Sequence, residues 1–267
     1  MVSLKQSILN ISAAFLGLVL SGCYTPELIE IQDIKCLGHR GNVTDSLMQN
    51  SMPAFLSALN IGGDGIEFDV VHTKDNIPIV FHDRSLNRLT KSRPGKYCRT
   101  DLDVADLTFS EIIEHCTLTN GEEIPSLEDV LATFQPTDFN LLIEFKEPIS
   151  SLDKSIISQY YSEKPNNIQS IVNLGYYILD PLKYSNFPTK LIVYMKEYSP
   201  GMEFGTDGVD VSIISQENID RLQYLGKTIS LHVLNDRESI TKAFQIRADL
   251  ITTDTLELCI QIKRELS

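Results

Sequence analysis

The chain has 267 residues, 42% of them hydrophobic, enough to bury a sizeable core in one or two domains. Its net charge is −13 at pH 7. A surface that acidic excludes nucleic acid as a partner, because phosphate backbones demand basic patches, and argues equally against electrostatic docking on anionic lipid.

The opening residues, MVSLKQSILNISAAFLGLVLSGC, read as an export signal rather than as fold. Lys5 is a short positive start, Ile8 to Leu20 is an apolar run too short to span a bilayer, and small residues lead to Cys23. The segment LVLSGC resembles the bacterial lipobox, in which the chain is cut before a cysteine that is lipidated and becomes the new N-terminus. This predicts a signal peptide at 1–22, a lipid anchor on Cys23 and a tether over 23–33; the alternative is an ordinary signal peptide with an incidental cysteine. Acyl chains would hold the protein to the membrane of a bacterial cell envelope, and stable attachment takes more than one of them. Tyr24 follows Cys23 where an Asp is associated with inner-membrane retention, which favours the outer membrane or the periplasmic face.

After the tether, apolar runs of strand length recur at 34–40, 65–70, 77–83, 139–146, 169–175, 189–195, 208–214, 228–234 and 248–254. Most are continuous rather than alternating, as suits parallel strands buried on both faces. Between them lie helical patterns. SMPAFLSALNIG (51–62) has Ser51 to cap it, Pro53 early and glycine at its end, and SLEDVLATF (126–134) starts on a second capping serine. SQENIDRLQYLG (215–226) ends in glycine, and DRESITKAFQIR (236–247) is amphipathic. Strands alternating with helices imply a parallel α/β sheet. Nine runs are one too many for an eight-stranded barrel, but only HTKDN separates the second from the third, far too short for a parallel crossover. These two therefore form an antiparallel hairpin turning near Asp75 and Asn76. What remains is a (β/α)8 TIM barrel over 34–267 with a β-hairpin excursion after its second strand. Loss of residues 1–22 would leave about 245 residues, close to the roughly 250 of a typical barrel.

Beyond Cys23 the cysteines are Cys36, Cys98, Cys116 and Cys259, with no zinc-ligand spacing. In an oxidising compartment disulfides persist. Cys98 and Cys116 flank one polar stretch and are the candidate pair, the alternative being two free buried thiols. Cys36 lies in an apolar strand pattern and reads as a small core residue.

Residues two apart on a strand share a face. Glu67 and Asp69 therefore point together, as do Glu144 and Lys146, while Ile143 and Phe145 face the helices. His39 and Arg40 end the first strand. In a barrel all these strand ends meet at one rim, and the hairpin can bring His82 over it. Acids converging there would repel unless a hard divalent cation, Mg2+ or Ca2+, relieved them, or unless Arg40 and Lys146 paired with them. Asp83 either orients His82 or caps the following turn. His72 lies beyond the acid pair, outside the set, and His115 and His232 read as structural.

The segments GHRGN (38–42), GGDGIEFDVVHTKDNIPIVFHDRSLNRLT (62–90), GEEIPSLEDVL (121–131) and LLIEFK (141–146) resemble the glycerophosphodiester phosphodiesterase family in order and spacing, with a weaker continuation in LHVLN and ADLITTD. The resemblance implies a barrel that hydrolyses glycerophosphodiesters to sn-glycerol 3-phosphate and an alcohol with a divalent metal. It places metal ligands at Glu67, Asp69 and Glu144, and the general acid and base at His39 and His82. Arg40 and Lys146 can neutralise phosphate, and two histidines near neutrality can exchange protons with nucleophile and leaving group. Two departures from the family pattern fall where substrate is held. A Glu-Asn-Thr signature becomes Gln49, Asn50, Ser51, and a tryptophan near the end of the penultimate strand has no counterpart in a chain without tryptophan, where His232 occupies that neighbourhood. Those changes leave room for a phospholipid, a sphingolipid or an envelope polymer as substrate, or for a non-catalytic lipoprotein that binds a phosphorylated ligand.

Overall fold

The computed structural model describes residues 30–161 and 167–267. The predicted signal peptide, Cys23 and the tether up to residue 29 lie outside them. A single 3-10 turn at Ile31–Asp33 leads into the first strand. In chain order the elements are β1 (Lys35–His39), α1 (Met52–Asn60), β2 (Gly65–His72), β3 (Pro78–Val80), β4 (Thr90–Ser92), α2 (Phe109–His115), β5 (Cys116–Leu118), α3 (Leu127–Phe134), β6 (Asn140–Phe145) and α4 (Ser151–Tyr160). Then follow β7 (Ile168–Asn173), α5 (Leu174–Leu179), β8 (Lys190–Glu197), β9 (Gly208–Ile213), α6 (Gln216–Tyr224), β10 (Thr228–Leu231), α7 (Arg237–Gln245), β11 (Leu250–Thr253) and α8 (Leu256–Leu266).

Parallel pairing runs β1-β11-β10-β9-β8-β7-β6-β2, and β2 pairs again with β1, so eight strands close a barrel. Because the strands are parallel, their C-terminal ends share one pole, the mouth, and the chain enters β1 at the opposite pole, the base. β3 pairs antiparallel with the end of β2, Val70 opposite Val80 and His72 opposite Pro78. The turn between them closes through Asn76, whose amide bonds the Thr73 carbonyl at 2.8 Å and whose φ of 59° is a left-handed conformation that asparagine tolerates.

Alternation along the strands sorts the side chains. Ile143 and Phe145 pack outward with Phe55, Phe68, Phe134 and Phe244 in the layer between barrel and helices. Each such fully buried side chain contributes about 2 kcal/mol of transfer free energy. Leu37, Leu142, Ile171, Ile192 and Leu250 point inward and fill the barrel below the mouth. The capping serines act as predicted: Ser51 accepts from the Ala54 amide, and Ser126 and Asp129 exchange bonds at the start of α3.

The excursion is larger than a hairpin. Between β3 and α3 the chain also forms the antiparallel pair β4–β5 and helix α2, with an apolar cluster of their own that includes Ile79, Phe81, Leu86, Ile112 and Leu118. The disulfide Cys98–Cys116 pins this insert. Cys36 departs from the sequence reading: it is not a free core thiol but is bonded to Cys259 on α8. The pairing partner lies 223 residues away, and only closure of the barrel brings the two together.

Candidate active site

The first wall of the mouth is built by the turn after β1. Gly38 and Gly41 let the backbone fold back on itself, since a Cβ at Gly38 would sit 2.6 Å from the Gly41 carbonyl oxygen. The turn holds Arg40 at a positive φ, and its amide donates to Glu67 Oε2 at 3.1 Å. The Arg40 guanidinium lies with Nε 3.1 Å from Asp69 Oδ2, and another of its nitrogens donates to Gln49 Oε1 at 2.6 Å. Gln49 thus holds Arg40 through its amide oxygen at the position where the carboxylate was expected. Asn50 clamps Asp69 from behind: its side-chain nitrogen donates to Asp69 Oδ2 at 2.7 Å and its oxygen accepts from the Asp69 amide.

Glu67, Asp69 and Glu144 come together as the strand alternation predicts, each offering a carboxylate oxygen within 4.8 Å of the others. Glu67 and Asp69 are buried, and Glu67 Oε1 has no hydrogen-bond partner among the described residues. Burial, and then the neighbouring charges of Asp69 and Glu144, push the Glu67 carboxyl well above its usual range against the pull of Lys146 and Arg40. Glu144 is raised too, chiefly by burial. Lys146 bridges the group, its Nζ 2.8 Å from Asp69 and 2.7 Å from Glu144. Burial disfavours the ammonium, but these two carboxylates outweigh it and carry the Lys146 pKa to about 12. The trio fits a hard divalent cation, because it gathers three oxygen donors, one of them a buried oxygen that no protein donor satisfies. Arg40 and Lys146 supply the rest of the positive charge at the same place.

Of the two predicted histidines, His39 faces the acids directly, and His82 follows Phe81, whose amide donates to the Asp69 carbonyl at 3.0 Å. His39 Nδ1 lies 2.6 Å from Asp254 Oδ1 at the end of β11, and its Nε2 faces Glu67 at 4.0 Å. The hydrogen bond to His39 holds the Asp254 carboxyl below its ordinary value. Asn235 fixes Asp254 in turn, donating to Oδ2 at 2.7 Å while its own oxygen accepts from the Asp254 amide at 2.8 Å. His82, just past β3, has Nδ1 2.6 Å from Asp83 Oδ1. Two bonds of 2.8 Å from Arg88 grip Asp83, and with the His82 bond they carry its pKa down to about 2. Asp83 therefore orients His82 and does not cap the next turn.

Other histidines divide. His72 sits outside the set, bonded to Glu147 at 2.9 Å and to Asp153 of α4 at 2.9 Å. His115 belongs to α2 in the insert. His232 lies in the mouth, in the neighbourhood expected from its place in the sequence: its Nδ1 is 2.8 Å from Asp210 Oδ2, its Nε2 is 3.1 Å from Ser212 Oγ, and its ring meets that of Tyr194 at 5.1 Å. Burial lowers its pKa, but the Asp210 charge prevails and raises it, and the ring also feels Glu144 and Lys146 across the mouth. Asp210, Asn235 and Asp254 were missed by sequence reasoning. Their only signal was position, one polar residue at or just past the inward-facing end of an apolar run.

Comparison with known proteins bears on this constellation. Residues 39–205 match the family model described as the glycerophosphoryl diester phosphodiesterase family. A glycerophosphodiester phosphodiesterase of Bacillus altitudinis is 27% identical over 255 residues, covering 87% of this chain and 99% of the relative. The human lysophospholipase D GDPD1 is 25% identical over 263 residues, covering 82% of this chain and 83% of its own. Among solved structures, a glycerophosphodiester phosphodiesterase from Parabacteroides distasonis superposes with a TM-score of 0.69 at 23% identity, covering 87% of this chain and 98% of the other. An Oleispira antarctica phosphodiesterase in complex with the product sn-glycerol-3-phosphate gives 0.66 at 16% identity, covering 85% and 96%.

Proposed function

The chain belongs to the glycerophosphoryl diester phosphodiesterase family, and from that premise we propose that it hydrolyses glycerophosphodiesters to sn-glycerol 3-phosphate and an alcohol at the bacterial cell envelope, with help from a divalent cation. The observation that carries the reading is the Glu67, Asp69 and Glu144 trio with His39 facing it and the end of β3 bringing His82 up beside Asp69, each imidazole backed by its own carboxylate.

The substrate is a phosphate monoanion, and hydrolysis adds charge to its oxygens as the P–O bond to the alcohol breaks. Arg40 offers a guanidinium fork and Lys146 a point charge to those oxygens. Glu67, Asp69 and Glu144 would hold Mg2+ or Ca2+, which when bound supplies further charge neutralisation. The proton traffic falls to the histidines. Asp254 and Asp83 keep Nδ1 of their partners engaged, which leaves Nε2 of each ring free for the substrate. In direct hydrolysis one ring takes a proton from the attacking water as its oxygen bonds phosphorus, and the other gives a proton to the alcohol oxygen as its bond to phosphorus breaks.

A second reading has support of its own. Ile178, Leu179, Leu182 and Phe204, in the segments that link β7 to β8 and β8 to β9, are largely exposed apolar side chains. The similarity to a human lysophospholipase D points to an acyl chain on the glycerol, and exposed apolar side chains of this kind would suit one. The envelope placement rests on the lipobox-like segment and on Cys23. A Cys23→Ser variant that stays in the membrane fraction would remove it.

Residues 24–267 should release glycerol 3-phosphate from glycerophosphocholine with Mg2+ or Ca2+ and lose that activity in excess EDTA. Full turnover in EDTA would strip the cation from the trio. Cleavage of lysophosphatidylcholine in preference to glycerophosphocholine would select the second reading.

A further inference from the structure

On the phosphodiesterase reading above, the Asp210–His232 pair has no task in the proton traffic, yet it is built into the wall of the same mouth. Asp210 on β9 and Tyr194 on β8 stand side by side in register and both point inward. Ser212 shares the Asp210 face, and His232 continues the inward row of Ser230 just beyond β10. β10 lies four strands round the barrel from β6, so His232 faces Glu144 and Lys146 from across the opening. Asp210 is buried, with 5% of its side chain exposed, and the His232 side chain keeps 17%. Asp210 fixes the imidazole from behind, and the ring's Nε2 rests on the exposed Ser212 hydroxyl, a partner that a ligand hydroxyl can replace.

We propose that His232, positioned by Asp210, is the residue that selects the alcohol of the diester, and that it favours a polyhydroxylated alcohol over a quaternary ammonium. The imidazole and the Ser212 hydroxyl together present donors and acceptors that pair with vicinal hydroxyls. A trimethylammonium group can pair with neither and gains none of these bonds, while Ser212 and His232 stay bonded to each other. A site built to bond a hydroxyl discriminates strongly against a ligand that lacks it. The usual home of a quaternary ammonium is a cage of open aromatic faces. Here the chain has no tryptophan, and the ring beside His232 is Tyr194, tilted at 41° and packed against the imidazole itself.

The test compares kcat/KM for glycerophosphoglycerol and glycerophosphocholine in the wild type and in His232→Phe, His232→Gln and Asp210→Asn, with circular dichroism to confirm folding. The wild type should prefer glycerophosphoglycerol at least 10-fold. His232→Phe should bring the ratio within about 3-fold of unity, mainly through a higher KM for glycerophosphoglycerol. His232→Gln, which still hydrogen-bonds, should keep part of the preference, and Asp210→Asn, which frees the ring, should lose part. A ratio near unity in the wild type, or one unchanged in His232→Phe and His232→Gln, overturns the proposal. An equal rise in KM for both substrates also overturns it, by placing His232 on the glycerol they share. Absence of hydrolysis of either diester by the wild type overturns the phosphodiesterase reading and this proposal with it.

Discussion

His39 and His82, the proposed acid and base, are each held by a carboxylate, but the two supports differ. Asp83 is the next residue in the chain to His82 and is gripped by Arg88, whereas Asp254 reaches His39 from the far end of the sequence, from the last strand of the barrel. His82→Ala should keep the fold and lower turnover by about 10²-fold or more. Asp254→Asn should lower kcat by about 10²-fold as well, because an amide can present its nitrogen to Nδ1 and reverse the tautomer. Asp254→Glu should recover part of it. Steady-state kinetics on glycerophosphocholine check both, and wild-type rates in Asp254→Asn would exclude a positioning role. At this scale the sequence was informative where polar residues interrupt apolar strands in pairs. Glu67 with Asp69, and Glu144 with Lys146, announce a shared face because a strand repeats every two residues. Asp254 and Asp210 are single acids near strand ends, and their partners His39 and His232 are set by the closure of the barrel, which no local pattern contains.

Among the elements, the end of β2, the loop after β6 and the start of α4 are fastened by one side chain, His72. Its ring nitrogens bond Glu147 and Asp153, and Asp153 also caps α4 with Ser150. Burial disfavours the imidazolium, but the hydrogen bonds and charges of Asp153 and Glu147 outweigh it and raise its pKa to about 9. A folded pKa above the unfolded one gives stability that is complete below about pH 6.5 and is lost as pH rises through about 9. The shift corresponds to about 3 kcal/mol, so urea midpoints should fall between pH 6.5 and 9, and His72→Ala should flatten that slope. An equal slope in the variant would assign it elsewhere. The long apolar runs and the capped helices α1 and α3 were legible because period and punctuation agree. The pair β4–β5 and helix α2 were not: three-residue strands and a seven-residue helix give too little periodicity, and their apolar cluster forms only when the insert folds over the hairpin.

Over the whole molecule, closure is secured twice, by the β1–β11 pairing and by the disulfide from Cys36 to Cys259 on α8. In the chain-entropy picture a link across 223 residues is worth about 5 kcal/mol and the 18-residue link in the insert about 3 kcal/mol. Replacing Cys36 and Cys259 by serine should lower the melting temperature by roughly 10 °C or more, read by calorimetry, and reductant should do the same to the wild type. A loss under 1 kcal/mol would show that the strands alone close the barrel. The same polarity that gathers the strand ends at one pole puts the entry of the chain at the other. An acyl leash at Cys23, with residues 23–30 extended up to the 3-10 turn, would reach at most about 28 Å and would bring the floor of the barrel towards the bilayer. The mouth would then look out into the aqueous gap. The proposed anchor would make the protein a tethered scavenger, sweeping a thin layer of water for diesters already shed, while lipids still seated in the leaflet beneath would stay behind its back.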